Sequence, residues 1–185
     1  ANSNRSYEKM DRIPKHLADA FVAVEDERFY DHNGIDIRGI LRAAFEAVQN
    51  FELTQGASTI TQQIIKNNVF DDWVNEETMQ KIKRKIQEQY LAVELEKKMS
   101  KEQILEIYMS TINLGQNTLG VKAAALRYFN KQPYQLTLSE SAVIVATTSN
   151  PSKYNPISHP EKNEERRQIV LDKMKKQGYI SQAEY

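Results

Sequence analysis

Ten consecutive residues, Glu25-Asp26-Glu27-Arg28-Phe29-Tyr30-Asp31-His32-Asn33-Gly34, bring together four carboxylates, an arginine and a histidine. They follow Leu17, Ala20, Phe21 and Val24, whose spacing lays one apolar stripe along a helix. Glu25 comes one residue after that stripe, at its edge. There a carboxylate is partly dehydrated, which makes it a better proton acceptor. The same residues also read as a solvated acidic helix end, and this stretch alone leaves both readings open.

A second stretch, Gly56-Ala57-Ser58-Thr59-Ile60-Thr61-Gln62-Gln63, sets three hydroxyls and two amides where a glycine loop opens a helix. The free N–H groups and partial positive charge of a helix N-terminus suit a phosphate or sulfate, and the hydroxyls add donors. Lys66 lies one turn beyond Gln62 on the same face. The alternative is a Ser/Thr cap with polar surface behind it. Farther along, Arg84 and Glu88 stand four apart and Lys85 and Glu88 three apart. They form either a surface ion pair, worth about 0.3–0.5 kcal/mol, or a group able to handle a diphosphate and steer a sugar. His32, His16 and His159 have no partners at metal-ligand spacing, so no zinc site is expected; His32 is expected to pin the loop after the first helix.

The elements that must position these groups read almost entirely as helices. The first is expected from Pro14 to Tyr30, ended by Gly34, and the second from Asp36 to Asn50 with Ile37, Ile40, Leu41, Ala44, Phe45 and Val48 on one face. A third runs from Ser58 to Phe70, capped by Ser58 or Thr59, and a fourth from Glu76 to Met99. Ser100–Gln103 and Thr137–Glu140 are capping boxes opening further helices. Val121–Phe129 is a short helix, the stretch from Asn150 to Pro160 is expected to be extended, and Glu161–Lys176 is a charged helix. Phe70, Trp73 and Val74, with Phe51 and Leu53, are either core or an exposed apolar lip facing a membrane. No strand-like alternation appears, so the fold class is all-α, with eight or more helices. The 25 basic and 25 acidic residues cancel, which argues against a general nucleic-acid binder, and the absence of cysteine excludes disulfides and thiolate metal sites. No run approaches the length of a membrane span. Ser181 reads as an N-cap at the chain's end, so residues 1–185 are expected to be one domain excised from a longer protein.

In this order the motifs resemble the peptidoglycan glycosyltransferase domain (family 51) of penicillin-binding proteins and monofunctional transglycosylases. E-D-x-x-F-x-x-H-x-G is met by Glu25, Asp26, Phe29, His32 and Gly34; G-x-S-T-x-T-Q-Q by Gly56, Ser58, Thr59, Thr61, Gln62 and Gln63; R-K-x-x-E by Arg84, Lys85 and Glu88. K-x-x-I-L-E-x-Y is met by Lys101, Ile104, Leu105, Glu106 and Tyr108, and a last run by Tyr154, Asn155, Pro156, Pro160, Arg166 and Arg167. One departure is Ser110, where the family usually has asparagine.

The resemblance implies a lysozyme-like helical lobe and a smaller, mobile, membrane-proximal jaw lobe. It implies polymerisation of lipid II, with a lipid-linked glycan chain as donor, inversion to a β-1,4 linkage and release of undecaprenyl diphosphate. Glu25 is then the general base and Glu88 the second essential carboxylate. Lys66, Arg84 and Lys85, helped by Ser58, Thr59 and the N-terminus of the third helix, neutralise the diphosphate. Gln62 and His32 orient these groups, and Asp26 binds substrate or braces Glu25. No cofactor is required by this reading, with Mg2+ or Mn2+ at the diphosphate left open. Moenomycin-type inhibitors, the membrane surface and a C-terminal transpeptidase domain are the other expected partners. The expected location is the outer face of the bacterial cytoplasmic membrane, through an N-terminal transmembrane helix outside this sequence. The rival is a lysozyme-like muramidase or lytic transglycosylase, which has no need of the cationic set.

Overall fold

The computed structural model describes residues 7–50, 56–70 and 77–185. Among these residues there are eight α-helices: α1 (Lys15–Glu25), α2 (Ile37–Asn50), α3 (Ile60–Val69), α4 (Thr78–Lys98), α5 (Lys101–Thr111), α6 (Val121–Phe129), α7 (Leu138–Ala146) and α8 (Pro160–Lys176). The only sheet-like pairing among them is a single antiparallel bridge between Asn113 and Leu119. The chain divides into two compact units, one of residues 1–24 with 105–185, the other of residues 25–104.

The first unit is built round α1. Every residue from Leu17 to Ala23 is buried, rather than one stripe. Alanines at 18, 20 and 23 leave room for neighbours on all sides of the helix, and Phe21 packs edge-on to Tyr108 with ring centroids 5.6 Å apart. Asp19 within this run takes an ion pair from Lys15 at 2.5 Å, so its charge is not left alone in the core. Ser110, the family's departure, is 1% exposed. Its hydroxyl lies 3.2 Å from both the N–H and the carbonyl of Glu8. The side chain thus tethers the N-terminal segment to α5. Gly120 (φ +83°) touches the same turn: a Cβ there would fall 2.4 Å from the Ser110 carbonyl oxygen, and both the left-handed backbone and the contact require glycine.

Two stretches fold differently from the sequence expectation. α1 stops at Glu25, and residues 26–35 are turns rather than more helix. The chain leaves the helix because the side chain of Asp26 is engaged elsewhere, as described below. Residues 150–159 are successive turns rather than extended chain, and Pro160 already opens α8. Asn150 accepts the N–H of Lys153, and Asn155 those of Ile157 and Ser158, so two asparagines supply the turn-forming acceptors.

In the second unit α3 packs on α4. Thr59 caps α3: its hydroxyl accepts the N–H of Gln62, and Gln62 returns its side-chain oxygen to the N–H of Thr59. The turn at Gly34 (φ +103°) lies directly on α4, where a Cβ would sit 2.6 Å from the Ala92 carbonyl. Arg28 grips Asp36 through two nitrogens, at 3.0 and 2.6 Å, and Asp36 caps α2 by accepting the N–H of Gly39. This pairing holds the Asp36 carboxyl below the usual carboxylate range. The apolar stripes of α2 (Ile37, Leu41, Phe45, Val48) and α4 (Met79, Ile82, Ile86, Tyr90) are not against a core. Each of these side chains is between 51% and 76% exposed. Of the expected apolar lip, Phe51, Leu53, Trp73 and Val74 lie outside the described residues, as does half of the 67–78 region.

Candidate active site

All ten sequence-selected residues fall in the second unit. Glu25 ends α1, half-buried, and accepts a hydrogen bond from the Gln63 amide at 3.2 Å. Lys66 lies one turn farther along α3. Its ammonium is held below the ordinary lysine range, first by burial, then by the charge of Lys85, with Arg84 adding to the repulsion; Glu88 and Glu25 oppose these effects. Lys66 therefore feels both carboxylates and both other cations, which puts Glu25, Glu88, Arg84 and Lys85 within one electrostatic neighbourhood.

α4 supplies the other cations from one face. Glu88 is fully buried. Both of its oxygens are taken, one by Arg84 and the other by Lys85 at 3.0 Å. Lys85 also donates to Ser58 at 2.8 Å. Glu88 thus touches cations, not the open surface. It fixes the guanidinium and the ammonium.

Several expected roles change at the start of α3. The N-terminus is not an open anion site. The N–H of Ile60 is donated to Asp26 at 2.9 Å, and that of Gln62 to Thr59. Thr59, Ile60 and Thr61 are each at most 1% exposed. The anion that satisfies this helix end is the chain's own Asp26 carboxylate, a favourable placement for a negative charge. The Thr59 hydroxyl is likewise occupied, donating to the Gly34 carbonyl at 2.7 Å. Gln62, 2% exposed, is taken up by the cap, and Gln63 rather than Gln62 reaches Glu25. The adjacent glutamines gave no sequence signal for which would turn outward.

Asp26 also holds His32. Its two oxygens lie 3.0 and 2.8 Å from Nε2 of the imidazole, while the Gly34 N–H donates to Nδ1 at 3.0 Å. An accepting Nδ1 puts the ring proton on Nε2, which donates to Asp26. His32 therefore pins the loop, as its isolation from other histidines suggested.

A family model described as Transglycosylase matches residues 1–175. The chain belongs to the transglycosylase family. It is 48% identical over 177 residues to penicillin-binding protein 1A of Haemophilus influenzae, covering 96% of this chain and 20% of that protein. It is 42% identical over 181 residues both to penicillin-binding protein 1A of Aquifex aeolicus and to penicillin-binding protein 1F of Bacillus subtilis, in each case over 98% of this chain and 24% of the relative. The transglycosylase chain thus spans about a fifth to a quarter of the curated relatives it matches. A crystal structure of penicillin-binding protein 1A from Haemophilus influenzae superposes with a TM-score of 0.54, over 98% of this chain and 16% of that one. Residues paired by position in that superposition are 27% identical, fewer than the 48% paired by sequence order. The sequence pairing is the better measure of kinship, because one superposition need not align two units equally well. In the other unit, Arg166 of the family's last motif lies 5.9 Å over the Tyr154 ring.

Proposed function

We propose that this transglycosylase domain polymerises lipid II into β-1,4-linked glycan strands. The observation that carries the reading is a half-buried Glu25 bonded to Gln63 of α3, the helix that bears Lys66, while α4, packed on α3, gathers Arg84 and Lys85 on Glu88. Glu25 takes the proton from the acceptor's 4-hydroxyl. That oxygen bonds to the donor's anomeric carbon from the face opposite the leaving group, the C–O bond to the diphosphate breaks, and undecaprenyl diphosphate departs with the electron pair. The transition state has oxocarbenium character, as in glycosidases, and the cations offset the charge that grows on the diphosphate. Ser58 and Lys85 present a hydroxyl and an ammonium together. Glu88, Asp26, His32, Thr59 and Gln62 hold these groups in place.

A protein-held divalent ion does not fit the donor set. Among the described residues no three acidic or imidazole groups converge as metal ligands. The carboxylates of Asp26 and Glu88 are already bonded to His32 and Ile60, and to Arg84 and Lys85.

The exposed apolar stripes of α2 and α4 belong to the unit that carries the cations, and we assign to them the contact with the membrane surface. Among the described residues no helix is long and apolar enough to cross a membrane. Anchoring at the outer face, and a transpeptidase domain, are expected of the full-length protein. A muramidase or lytic enzyme is less well supported, since a neutral leaving sugar has no use for three clustered cations.

The test is incubation of the purified chain with labelled lipid II in detergent or vesicles. Glycan polymer that a muramidase digests, and whose formation a moenomycin-type phosphoglycolipid blocks, is the expected result. Fragments released from preformed sacculi, with no polymer made, would establish the lytic reading instead.

The depressed Lys66 gives a pH prediction. Its charge is lost at a lower pH than the ordinary lysine value of 10.5, and with it part of the affinity for diphosphate. The basic limb of kcat/KM should therefore fall below that value. Lys66→Arg keeps its charge throughout and should move the limb upward. A limb that stays put in Lys66→Arg belongs to another group.

A further inference from the structure

Behind the carboxylate and cations lies an ion pair that the mechanism above does not use. Lys101, the first residue of α5, bonds Glu96 near the end of α4 at 2.7 Å. The Glu96 side chain is 6% exposed and that of Lys101 23%. Each reaches one of the two segments that hold Glu25.

Lys101 reaches the first segment. Its ammonium donates to the His32 carbonyl at 2.6 Å, stands 3.4 Å from Nδ1 of the same residue, and sits 4.5 Å over the Phe29 ring. It therefore anchors His32 by the backbone and adds a second donor on the Nδ1 side, where it offsets the Glu96 carboxylate 3.8 Å from Nδ1. This favours the tautomer with the proton on Nε2, the nitrogen that donates to Asp26. Asp26 is the residue after Glu25, and where it is held decides where α1 ends. Glu96 reaches the second segment. It accepts the Thr61 hydroxyl at 2.7 Å, and two residues on is Gln63, whose amide meets Glu25. Asp26 closes the ring by accepting the N–H of Ile60.

We propose that Lys101 and Glu96 are positioning residues for Glu25. The pair clamps the His32–Asp26 loop and the first turn of α3 to one point, so that the carboxylate and its Gln63 partner keep their mutual geometry. This rests on Glu25 being the base. A part-buried pair bonded to both segments suits the task, since misplacing a reacting group by about 1 Å costs about 10²-fold in rate.

The experiment compares Lys101→Met, Glu96→Gln and Thr61→Val with the wild-type chain, by lipid II polymerisation and by 15N NMR of the histidine ring nitrogens. Lys101→Met is expected to lower kcat by tenfold or more with KM within about threefold, and to weaken the His32 preference for the Nε2–H tautomer. Glu96→Gln and Thr61→Val should lower kcat with KM unchanged, and the Lys101→Met/Glu96→Gln double variant should be little worse than the poorer single one, because they open one clamp. Thr61→Val removes a single hydroxyl and keeps its shape, so it carries the test if the charge variants do not fold. A raised KM with normal kcat would make Lys101 a substrate cation and overturn the proposal, as would normal kcat in Thr61→Val. So would a rate loss that only tracks a lowered melting temperature with the His32 spectrum unchanged. The NMR readout needs no substrate. A wild-type chain inactive on lipid II would sink the functional reading, while the tautomer result would still decide the clamp.

Discussion

Glu25→Gln should reduce lipid II polymerisation by about 10²–10⁴-fold in kcat, the usual contribution of a positioned general base, with KM changed by less than about threefold. The amide keeps the shape of the carboxyl and can still pair with Gln63, but it cannot accept the acceptor hydroxyl's proton. Lys66, Arg84 and Lys85 are left in place, so diphosphate binding should persist. Glu25→Asp should lose less, because the base survives but is withdrawn by one carbon–carbon bond from a half-buried site whose partner stays put. Initial rates of glycan formation over a range of lipid II concentrations separate the two constants. A Gln variant that keeps more than a tenth of the rate would move the base to another residue.

The pattern that made Glu25 visible was local, and local features were legible throughout. The capping pairs Thr59–Gln62, Ser100–Gln103 and Thr137–Glu140 each place a side chain three residues from the N–H it satisfies, and each was read from sequence. The bounds of α6 were read correctly as well. What went unread depended on partners far along the chain. α1 ends at Glu25 rather than Tyr30 because Asp26 bonds Ile60, 34 residues away, and no nearby residue announces it. The same bond closed the α3 N-terminus that looked open to phosphate. That Gln63 meets Glu25 follows from helix phase: the cap turns Gln62 inward and leaves its neighbour facing the carboxylate. Lys101 was part of a motif, but its bond to Glu96 crosses the break between α4 and α5, where helical spacing does not apply. The asparagines at 150 and 155 were a readable turn signal; the three prolines around them read as extended chain.

The apolar stripes of α2 and α4 hold a related lesson. Periodicity placed Ile37, Leu41, Phe45 and Val48 on one face, and helical phase does put them there. It does not say what covers the face. Here they stand exposed in the unit that carries the proposed site, whose cations suit a lipid-linked diphosphate, so one patch and one ligand chemistry give the same answer. A substrate tethered to a bilayer must be met at its surface, and a soluble oligosaccharide would need neither feature.

The second large effect concerns the pair that holds the cations. Arg84→Met should destabilise the chain by about 3–5 kcal/mol, the usual result of leaving one member of a buried pair without its main partner. Glu88 is fully buried, and after the substitution Lys85 is the donor left to it. Against a total stability of about 5–15 kcal/mol, a loss of that size is a large fraction of the whole, and urea unfolding followed by circular dichroism would measure it. Replacing both residues, as Arg84→Met with Glu88→Met, removes the buried charges together. Paired apolar replacements of this kind are often neutral or stabilising, so the double variant should recover most of the lost stability. Its polymerase activity should nonetheless stay near background, because Lys85 has lost the oxygen that aims it and the diphosphate has lost the guanidinium. A stable but inactive double variant means that the pair is kept for the chemistry of the cations at a cost in foldedness. If the double variant is as unstable as Arg84→Met, the pair serves the fold. If it is stable and active, the diphosphate is neutralised elsewhere.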